Sequence, residues 1–517
     1  MISKVDSMTG RCTNSLLAHL AACALLLFSP CSQASIVSEI NPPPTTAIEI
    51  AQHQINIASG LSQNGQSERA AIEFDRAIQS PAFAQLSEVY QHFAWFEAGN
   101  VALDMKKMEL AQDLLKRASQ SSQAGSQDWH NRLYASFALH DYIDSADCIT
   151  TIARRWPETL DQINSPAIYA INRELPDEPG QTTILFDFLE SLFDANWTAR
   201  GAQPNGFWVD LTRLLLERDQ LDKAIRAAKR IDSPLMVLAL RVDKRFDPVT
   251  RGRLAEFDLD QVAIASVAQA EKAVTAQPDL LRPILVLHAR LMKSRQYARA
   301  LEVCDGVIAR VANGKGADLY KDFDKEYIWI LNSRSEALQG LGRMDDAVAA
   351  LRTAIDLPQG DSENVNQALN LGNLLASLNR PQEALEAVAK LGEMSAFGRM
   401  QLEKLQHLVA IENADAVEAK KHLDYMREHR TDALSTFQDA LLDAGLLDEA
   451  TRFVIERLQK ESSRTDALLS VQDYAPVVRA PRIAMRHARL QEILARPAIL
   501  AEVDKVGRIE HVNLDSQ

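Results

Sequence analysis

The residues best suited to acid–base or metal chemistry in this sequence are its histidines, and two of them share one helical stretch. His422 and His429 lie seven residues apart, which is about two helical turns. Two histidines that bind one metal ion from a single helix are normally four residues apart, so that both rings reach the same ion. No cysteine lies near this pair. The spacing favours two surface histidines and predicts no metal site.

Other reactive patterns are missing from the sequence. It contains no H-E-x-x-H, G-x-S-x-G, P-loop or G-x-G-x-x-G motif. The stretch Gly314-Lys315-Gly316 is too short to surround a phosphate and follows a helical pattern rather than a strand. Adjacent acids such as Asp345-Asp346 lie where a helix is expected to begin, where carboxylates cap free backbone N–H groups. We therefore expect no catalytic residue and no cofactor, and predict that the chain is not an enzyme.

Helical periodicity with a repeat of about 34 residues runs through most of the chain. In the clearest stretch, residues 336–358, apolar residues recur three and four positions apart and Gly342 separates two helical halves. A small alanine recurs in the second half of each copy. These marker alanines are Ala70, Ala111, Ala146, Ala224, Ala300, Ala347, Ala384 and Ala450. Their separations predict about eleven helix pairs, with degenerate pairs at residues 183–195, 258–276 and 400–426.

The pattern resembles the tetratricopeptide repeat, in which a first helix of the form W-x2-L-G-x2-Y precedes a second helix with A-x3-F and a closing proline. Trp95, Gly99 and Ala111 match these slots in one copy. The resemblance implies an all-α, right-handed superhelical solenoid whose first helices line the concave wall. It also implies that the chain binds a protein or peptide partner. Trp95 and Trp208 fall at packing slots of the repeat and are expected in the core.

Two adjacent first helices place a run of polar side chains on the expected concave wall. The run consists of Trp329, Asn332, Glu336 and Gln339 from one helix and Asn366, Asn370 and Asn373 from the next. Asparagine can both donate to and accept from a peptide backbone. The set is similar to the asparagine-lined groove of peptide-binding tetratricopeptide domains, but Glu336 does not suit a C-terminal carboxylate. A partner-binding groove is one interpretation, and an ordinary polar surface is the other.

Residues 1–34 have the features of a secretory signal. Lys4 and Arg11 supply a basic start, an apolar run follows at residues 16–28, and Ser32 and Ala34 are small. We predict cleavage after Ala34, which leaves the proline-rich linker 35–50. A lipoprotein anchor on Cys31 ranks lower, because Pro30 stands where a lipobox has a small residue. Since no later stretch reaches 18 apolar residues, no membrane span is predicted in the mature chain.

Composition limits the partners and the redox chemistry of the 517-residue chain. Its formal charge of −14 is scattered over helical faces, and an acidic surface repels phosphate backbones, so no nucleic acid is expected. The predicted cleavage leaves two cysteines, Cys148 and Cys304, 156 positions apart among apolar residues. We interpret them as buried, inert thiols.

The predicted layout has six segments. They are a cleaved signal (1–34), a linker (35–50), an N-terminal solenoid (51–242), a bend (243–257), a C-terminal solenoid (258–460), and a cap with a tail (461–517). In the last segment, residues 475–481 are expected to be extended because each proline disfavours helix just before it. A final helix, at about 485–506, is expected to cover the last helix pair.

The chain resembles exported tetratricopeptide proteins of Gram-negative bacteria over nearly its full mature length. This resemblance implies a non-catalytic protein–protein interaction scaffold in the periplasm or at the cell exterior. A narrower alternative is an assembly factor for exopolysaccharide or outer-membrane export. An enzyme with a helical superstructure is the alternative from a different class, and the missing catalytic motifs disfavour it.

Overall fold

The structure is a computed structural model, and it describes residues 46–176, 182–314, 316–357 and 365–515. The predicted signal (1–34) and most of the linker (35–50) lie outside the described residues. Within them, regular structure is helical apart from two strands of two residues each, which confirms the predicted all-α fold of tandem helix pairs. No helix in the described ranges is both long enough and apolar enough to cross a membrane.

The first of two compact units ends at Phe207. It begins with three regular helix pairs, in which successive helices are antiparallel and joined by short turns. Two more helices follow. The helices are α1 (Ala47–Gln63), α2 (Ser67–Gln79), α3 (Glu88–Asp104), α4 (Met108–Ser119), α5 (Ser126–Ala138), α6 (Tyr142–Arg155), α7 (Ser165–Glu174) and α8 (Thr183–Asp194).

The second unit starts at Trp208, within helix α9, and contains the rest of the described chain. Its elements are α9 (Asn205–Glu217), α10 (Leu221–Lys229), α11 (Pro234–Val242), α12 (Asp247–Thr250), α13 (Leu259–Ala276), α14 (Arg282–Lys293), α15 (Tyr297–Ala312), α16 (Gly316–Leu319), α17 (Phe323–Gly340), α18 (Met344–Ile355), α19 (Val365–Ser377), α20 (Pro381–Ala387), α21 (Ala396–Glu412), α22 (Ala416–Glu428), α23 (Leu434–Asp443), α24 (Leu447–Gln459), α25 (Glu461–Ser470), β1 (Asp473–Tyr474), α26 (Pro481–Leu494), α27 (Pro497–Val506) and β2 (His511–Val512).

One turn geometry recurs in nine helix pairs of the described chain. Each pair is joined by three residues, and the middle residue has a positive φ of 54–76°. A left-handed residue directly after a helix lets the next backbone N–H groups bond back to the last carbonyls, which ends the helix sharply. The nine residues are Gly65, Lys106, His140, Asp219, Arg295, Gly342, Asn379, Ala414 and Gly445.

The marker alanines lie where the two helices of a pair approach each other. All eight have an exposed fraction of 0%, as the repeat pattern predicts. Glycine serves the same close approach on a first helix: a Cβ added at Gly99 on α3 would lie only 2.6 Å from Leu115 Cγ on α4. Trp208 is also 0% exposed, and both Cys148 and Cys304 are buried. These expectations are confirmed, whereas Trp95, which was also expected in the core, is only partly buried and packs at the edge of a core cluster against Phe83.

Two segments differ from the predicted pairs. Residues 183–195 and 258–276 each provide one helix, α8 and α13, whereas residues 400–426 do fall in a pair, α21 with α22.

The predicted bend at 243–257 holds a 3-10 turn (Lys244–Phe246) followed directly by α12. Pro248 stands in the first turn of α12, where proline is tolerated because that N–H needs no helical partner. Phe246 and Val249 are fully buried, and the boundary between the two units falls earlier, at Phe207.

The segment after α25 reaches further than a cap on the last pair. The helix expected at 485–506 is two helices, α26 and α27, because proline at 497 cannot continue the first one. Residues 475–480 lack regular structure, as expected. Arg486 on α26 binds Asp443 beside the last regular turn. Arg508 N, beyond α27, donates to Val242 O at 2.9 Å, so the two ends of the second unit meet.

Candidate functional site

The predicted partner-binding residues lie on α17 and α19, the first helices of neighbouring pairs in the second unit. The structure brings three of them together. Asn370 Nδ2 donates to Asn332 Oδ1 at 2.7 Å, and Asn332 Nδ2 donates to Glu336 Oε1 at 3.1 Å. Asn332 itself is only 6% exposed. Asn332 therefore links the two helices, and Asn370 is the more accessible member of the pair.

The other predicted residues do not join this chain of hydrogen bonds. Gln339 Nε2 donates to Ser335 Oγ at 3.3 Å, and Asn373 Nδ2 donates to the Leu369 carbonyl at 2.8 Å. Among the described residues, Asn366 on the first turn of α19 has no hydrogen-bond partner. Trp329 is partly buried and packs against a cluster of apolar side chains that includes Leu331.

The orientation of these amides gives the face a chemical character. In Asn332, Asn370, Asn373 and Gln339, the NH2 group is turned to a partner within the protein. The amide oxygens of the half-buried Asn370, Asn373 and Gln339 remain as acceptors, and the Glu336 carboxylate lies beside them. These oxygens suit a ligand that donates N–H groups, such as a peptide backbone or a basic side chain, while each amide keeps a second N–H that can donate in return. The negative charge of Glu336 disfavours a carboxylate ligand here, which is the same argument that the sequence analysis made.

A histidine missed by the sequence analysis extends this cluster to a third first helix. His288 on α14 is 2% exposed, and its Nε2 has no hydrogen-bond partner among the described residues. Burial lowers the pKa of His288, although the nearby negative charge of Glu336 acts in the opposite direction. His288 lies in an apolar helical stretch, so its spacing gave no signal. It contributes a neutral ring to the wall behind Glu336.

The two histidines with which the sequence analysis began have different environments. His422 Nδ1 lies 2.6 Å from Glu403 Oε2, and the side chain is only 13% exposed, so its interpretation as a surface histidine was wrong. The partner comes from α21, which sequence spacing along α22 could not reveal. His429 stacks on Tyr425 with ring centroids 4.3 Å apart and is 45% exposed. Within the described ranges, no three metal-binding side chains converge.

A buried and strongly hydrogen-bonded carboxyl group lies in the first unit. Asp144 on α6 receives hydrogen bonds from Arg132 at 2.5 and 3.1 Å and from Ser136 at 2.5 Å. Burial by itself would raise the pKa of Asp144, but these bonds and the charges of Arg132 and Lys116 hold it well below its usual range. Asp144 and Arg132 are 5% and 3% exposed. The pair is enclosed between α5 and α6, and we assign it to the structure of that helix pair.

Comparisons with known proteins identify no family. No protein-family model matches the chain, and no curated protein matches its sequence. Among solved structures, yeast Tom70 is 11% identical with a TM-score of 0.29, covering 88% of this chain and 99% of that one. The Cut9–Hcn1 tetramer of the APC/C is 11% identical with a TM-score of 0.29, and the match covers 89% of this chain and 89% of that one. A monomeric IFIT1 mutant is 11% identical with a TM-score of 0.29, and the match covers 88% of this chain and 90% of that one. Because these TM-scores are low, no functional argument is drawn from them.

Proposed function

We propose that the chain is a non-catalytic interaction scaffold that binds a protein or peptide partner on the face formed by α17 and α19. The observation that carries the proposal is the Asn370–Asn332 hydrogen bond between two neighbouring first helices. It ties the two first helices at this point, and Asn373 on the same helix as Asn370 is, like Asn370, half-buried. A partner in extended form, carrying a basic side chain for Glu336, matches this arrangement of acceptors.

Asn366→Ala combined with Asn373→Ala should weaken the binding of the partner by about ten- to a hundredfold. Neither side chain supports another side chain, whereas each lost hydrogen bond to the partner is worth about 0.5–1.5 kcal/mol. The partner is first identified by placing a photo-crosslinking residue at position 373, and its affinity is then measured by isothermal titration. Helix content and melting temperature should change little, because both positions are partly exposed.

The matched control is Gln382→Ala, an exposed amide on the second helix of the same pair, α20. Crosslinking from position 382 should not capture the same protein. If the double variant and the control bind the partner with equal affinity, the face formed by α17 and α19 is not the binding surface.

We further propose that the chain is exported and that a signal peptide is removed after Ala34. This proposal rests on the basic start, the short apolar run and the small residues at 32 and 34. The intact mass of the protein recovered from the periplasm should correspond to a chain that begins at Ser35. A mass that retains residues 16–28, or a lipid attached to Cys31, would contradict it.

A further inference from the structure

Residues Gly507–Asp515, here called the docked segment, lie on the second unit as an extended peptide. Burial alternates along it: Val512 and Leu514 are 2% and 3% exposed, whereas His511 and Asn513 between them are exposed. Such alternation is typical of an extended strand with one face against a surface. Two apolar side chains thus anchor a segment whose opposite face meets solvent.

Main-chain hydrogen bonds hold the docked segment to three separate parts of the unit. These parts are the end of α11, the residues that follow α25, and the last residue of α14. The bonds run from Arg508 N to Val242 O (2.9 Å), from Asp473 N to Glu510 O (3.1 Å), from Ala475 N to Val512 O (2.9 Å) and from Asp515 N to Lys293 O (3.0 Å). Recognition of this kind resembles the addition of a strand to a sheet edge, where the backbone supplies affinity and alternate side chains supply specificity.

Charged and polar side chains of the docked segment also pair with side chains of the surface beneath it. Glu510 pairs with Arg241 at 2.7 Å, with exposed fractions of 20% and 21%. Asp515 accepts a hydrogen bond from Tyr297 Oη at 2.9 Å. Arg508 donates to Asp247 at 2.7 Å. The docked segment thus presents one basic residue and two acids, five positions apart, to the surface that it covers. This surface, which includes Arg241, Asp247 and Tyr297, is here called the groove.

The first residue of the docked segment must be glycine for a steric reason. A Cβ added at Gly507 would lie 2.5 Å from Leu468 Cδ2 and 2.5 Å from the Val242 carbonyl oxygen. The carbonyl is backbone at the end of α11 and cannot move aside as a flexible side chain can. Any larger residue therefore prevents the segment from seating at this end.

We propose that this groove is a peptide-docking site that the docked segment fills in cis. Its ligand is an extended segment with a defined pattern: a glycine followed directly by a basic residue, an acid three positions after the glycine, apolar residues at the fifth and seventh positions after it, and an acid at the eighth. A partner protein that carries this pattern replaces the docked segment. The proposal concerns a surface separate from the asparagines of α17 and α19, and it stands whether or not they bind a partner.

The in-cis arrangement determines how the site responds to an external peptide. A tethered segment competes at an effective concentration of roughly millimolar, so a micromolar peptide gains access only when the tethered segment is released. Gly507→Val releases it and leaves every groove side chain native. Gly306→Val is the matched control, because an added Cβ at Gly306 on α15 meets open space.

The probe is a fluorescent nine-residue peptide, Gly-Arg-Ile-Glu-His-Val-Asn-Leu-Asp, with an amidated end, and its binding to the full chain is followed by anisotropy. We expect binding to Gly507→Val at least tenfold tighter than to the wild type or to Gly306→Val. In the Gly507→Val background, Arg241→Glu should weaken binding at least tenfold, and a peptide with arginine in place of its glutamate should restore it. A peptide with aspartate in place of valine should not bind.

Several outcomes would overturn the proposal. One is equal peptide binding by the wild type, the control and Gly507→Val. Another is failure of the arginine peptide to restore binding to the Arg241→Glu variant. If Gly507→Val unfolds, the chain with both Val512→Asp and Leu514→Asp provides a second way to release the segment. Unfolding of both variants would show that the segment belongs to the core. A wild-type dimer that exchanges its docked segments would assign the site to a second copy instead.

Discussion

Asp144→Ala is expected to lower the free energy of opening of the α5/α6 helix pair by about 3–5 kcal/mol. The substitution leaves the guanidinium of Arg132, which is 3% exposed, without its closest carboxylate. Asp147 remains 2.9 Å from the guanidinium, but it is 56% exposed and contacts one nitrogen only, so most of the buried charge loses its compensation, which costs several kcal/mol. Native-state hydrogen exchange of the amides in α5 and α6 measures the change, and circular dichroism confirms that the remaining helices persist.

The chain offers a matched control on the same arginine. Asp147 lies 2.9 Å from Arg132 but is 56% exposed, so Asp147→Ala should cost no more than about 1 kcal/mol. Replacing both partners, as Arg132→Met with Asp144→Leu, should recover most of the loss because no charge remains buried. If Asp144→Ala and Asp147→Ala open the pair equally easily, the buried ion pair does not stabilise it.

The pKa shift gives the same pair a defined acid response. Because the pKa of Asp144 in the folded chain lies below its ordinary value of 3.8, the folded state holds the proton less tightly than the unfolded state. The stabilisation is therefore fully present above pH 3.8 and is lost as the pH falls through the lower, folded value. Asp144→Ala should remove this part of the acid response in the hydrogen exchange of α5 and α6.

The repeat was predictable from sequence because its determinants are local. A marker alanine such as Ala347 must be small wherever two helices touch, and the touching positions recur with a fixed period. The turns were only partly predictable. A left-handed residue is indicated by glycine at three of the turns, Gly65, Gly342 and Gly445. Lys106 and Asn379 adopt a similar positive φ, although their residue type does not indicate it in the sequence.

The contacts of the docked segment could not be predicted, because they join distant parts of the chain. Glu510 pairs with Arg241, and Asp515 meets Tyr297, across more than 200 positions. Periodicity describes how each repeat meets its neighbour and says nothing about where the two ends of a unit meet.

The candidate site was predictable to the extent that the register of two first helices was known. That register placed Asn332 and Asn370 on facing helices, and the structure joins them by a hydrogen bond. It could not show that Asn332 is buried, because burial depends on how closely the neighbouring pair packs. The environments of His288 and His422 were missed because Glu336 and Glu403 approach them from other helices.

Arg486→Leu is expected to lower the free energy of unfolding of the last helix pair and its covering helix by about 3–5 kcal/mol. Arg486 binds both carboxylate oxygens of Asp443, at 2.8 and 2.6 Å, and also donates to Asp439 at 2.9 Å. The Asp443 side chain is 3% exposed. Loss of the guanidinium leaves a buried carboxylate unpaired and removes one of the ties between α26 and α23, while Arg489 still donates to the Leu442 and Asp443 carbonyls. Hydrogen exchange of α23, α24 and α26 measures the change.

Arg496→Leu provides the comparison, because the carboxylate partner of Arg496, Asp448, is 84% exposed and can be solvated when the arginine is lost. It should cost about 1 kcal/mol or less. Combining Arg486→Leu with Asp443→Leu should restore most of the stability, since the penalty arises from the unpaired charge rather than from the missing contact area. Were the double variant as unstable as Arg486→Leu alone, the arginine would be stabilising the last pair through its packing on α23 and not through charge.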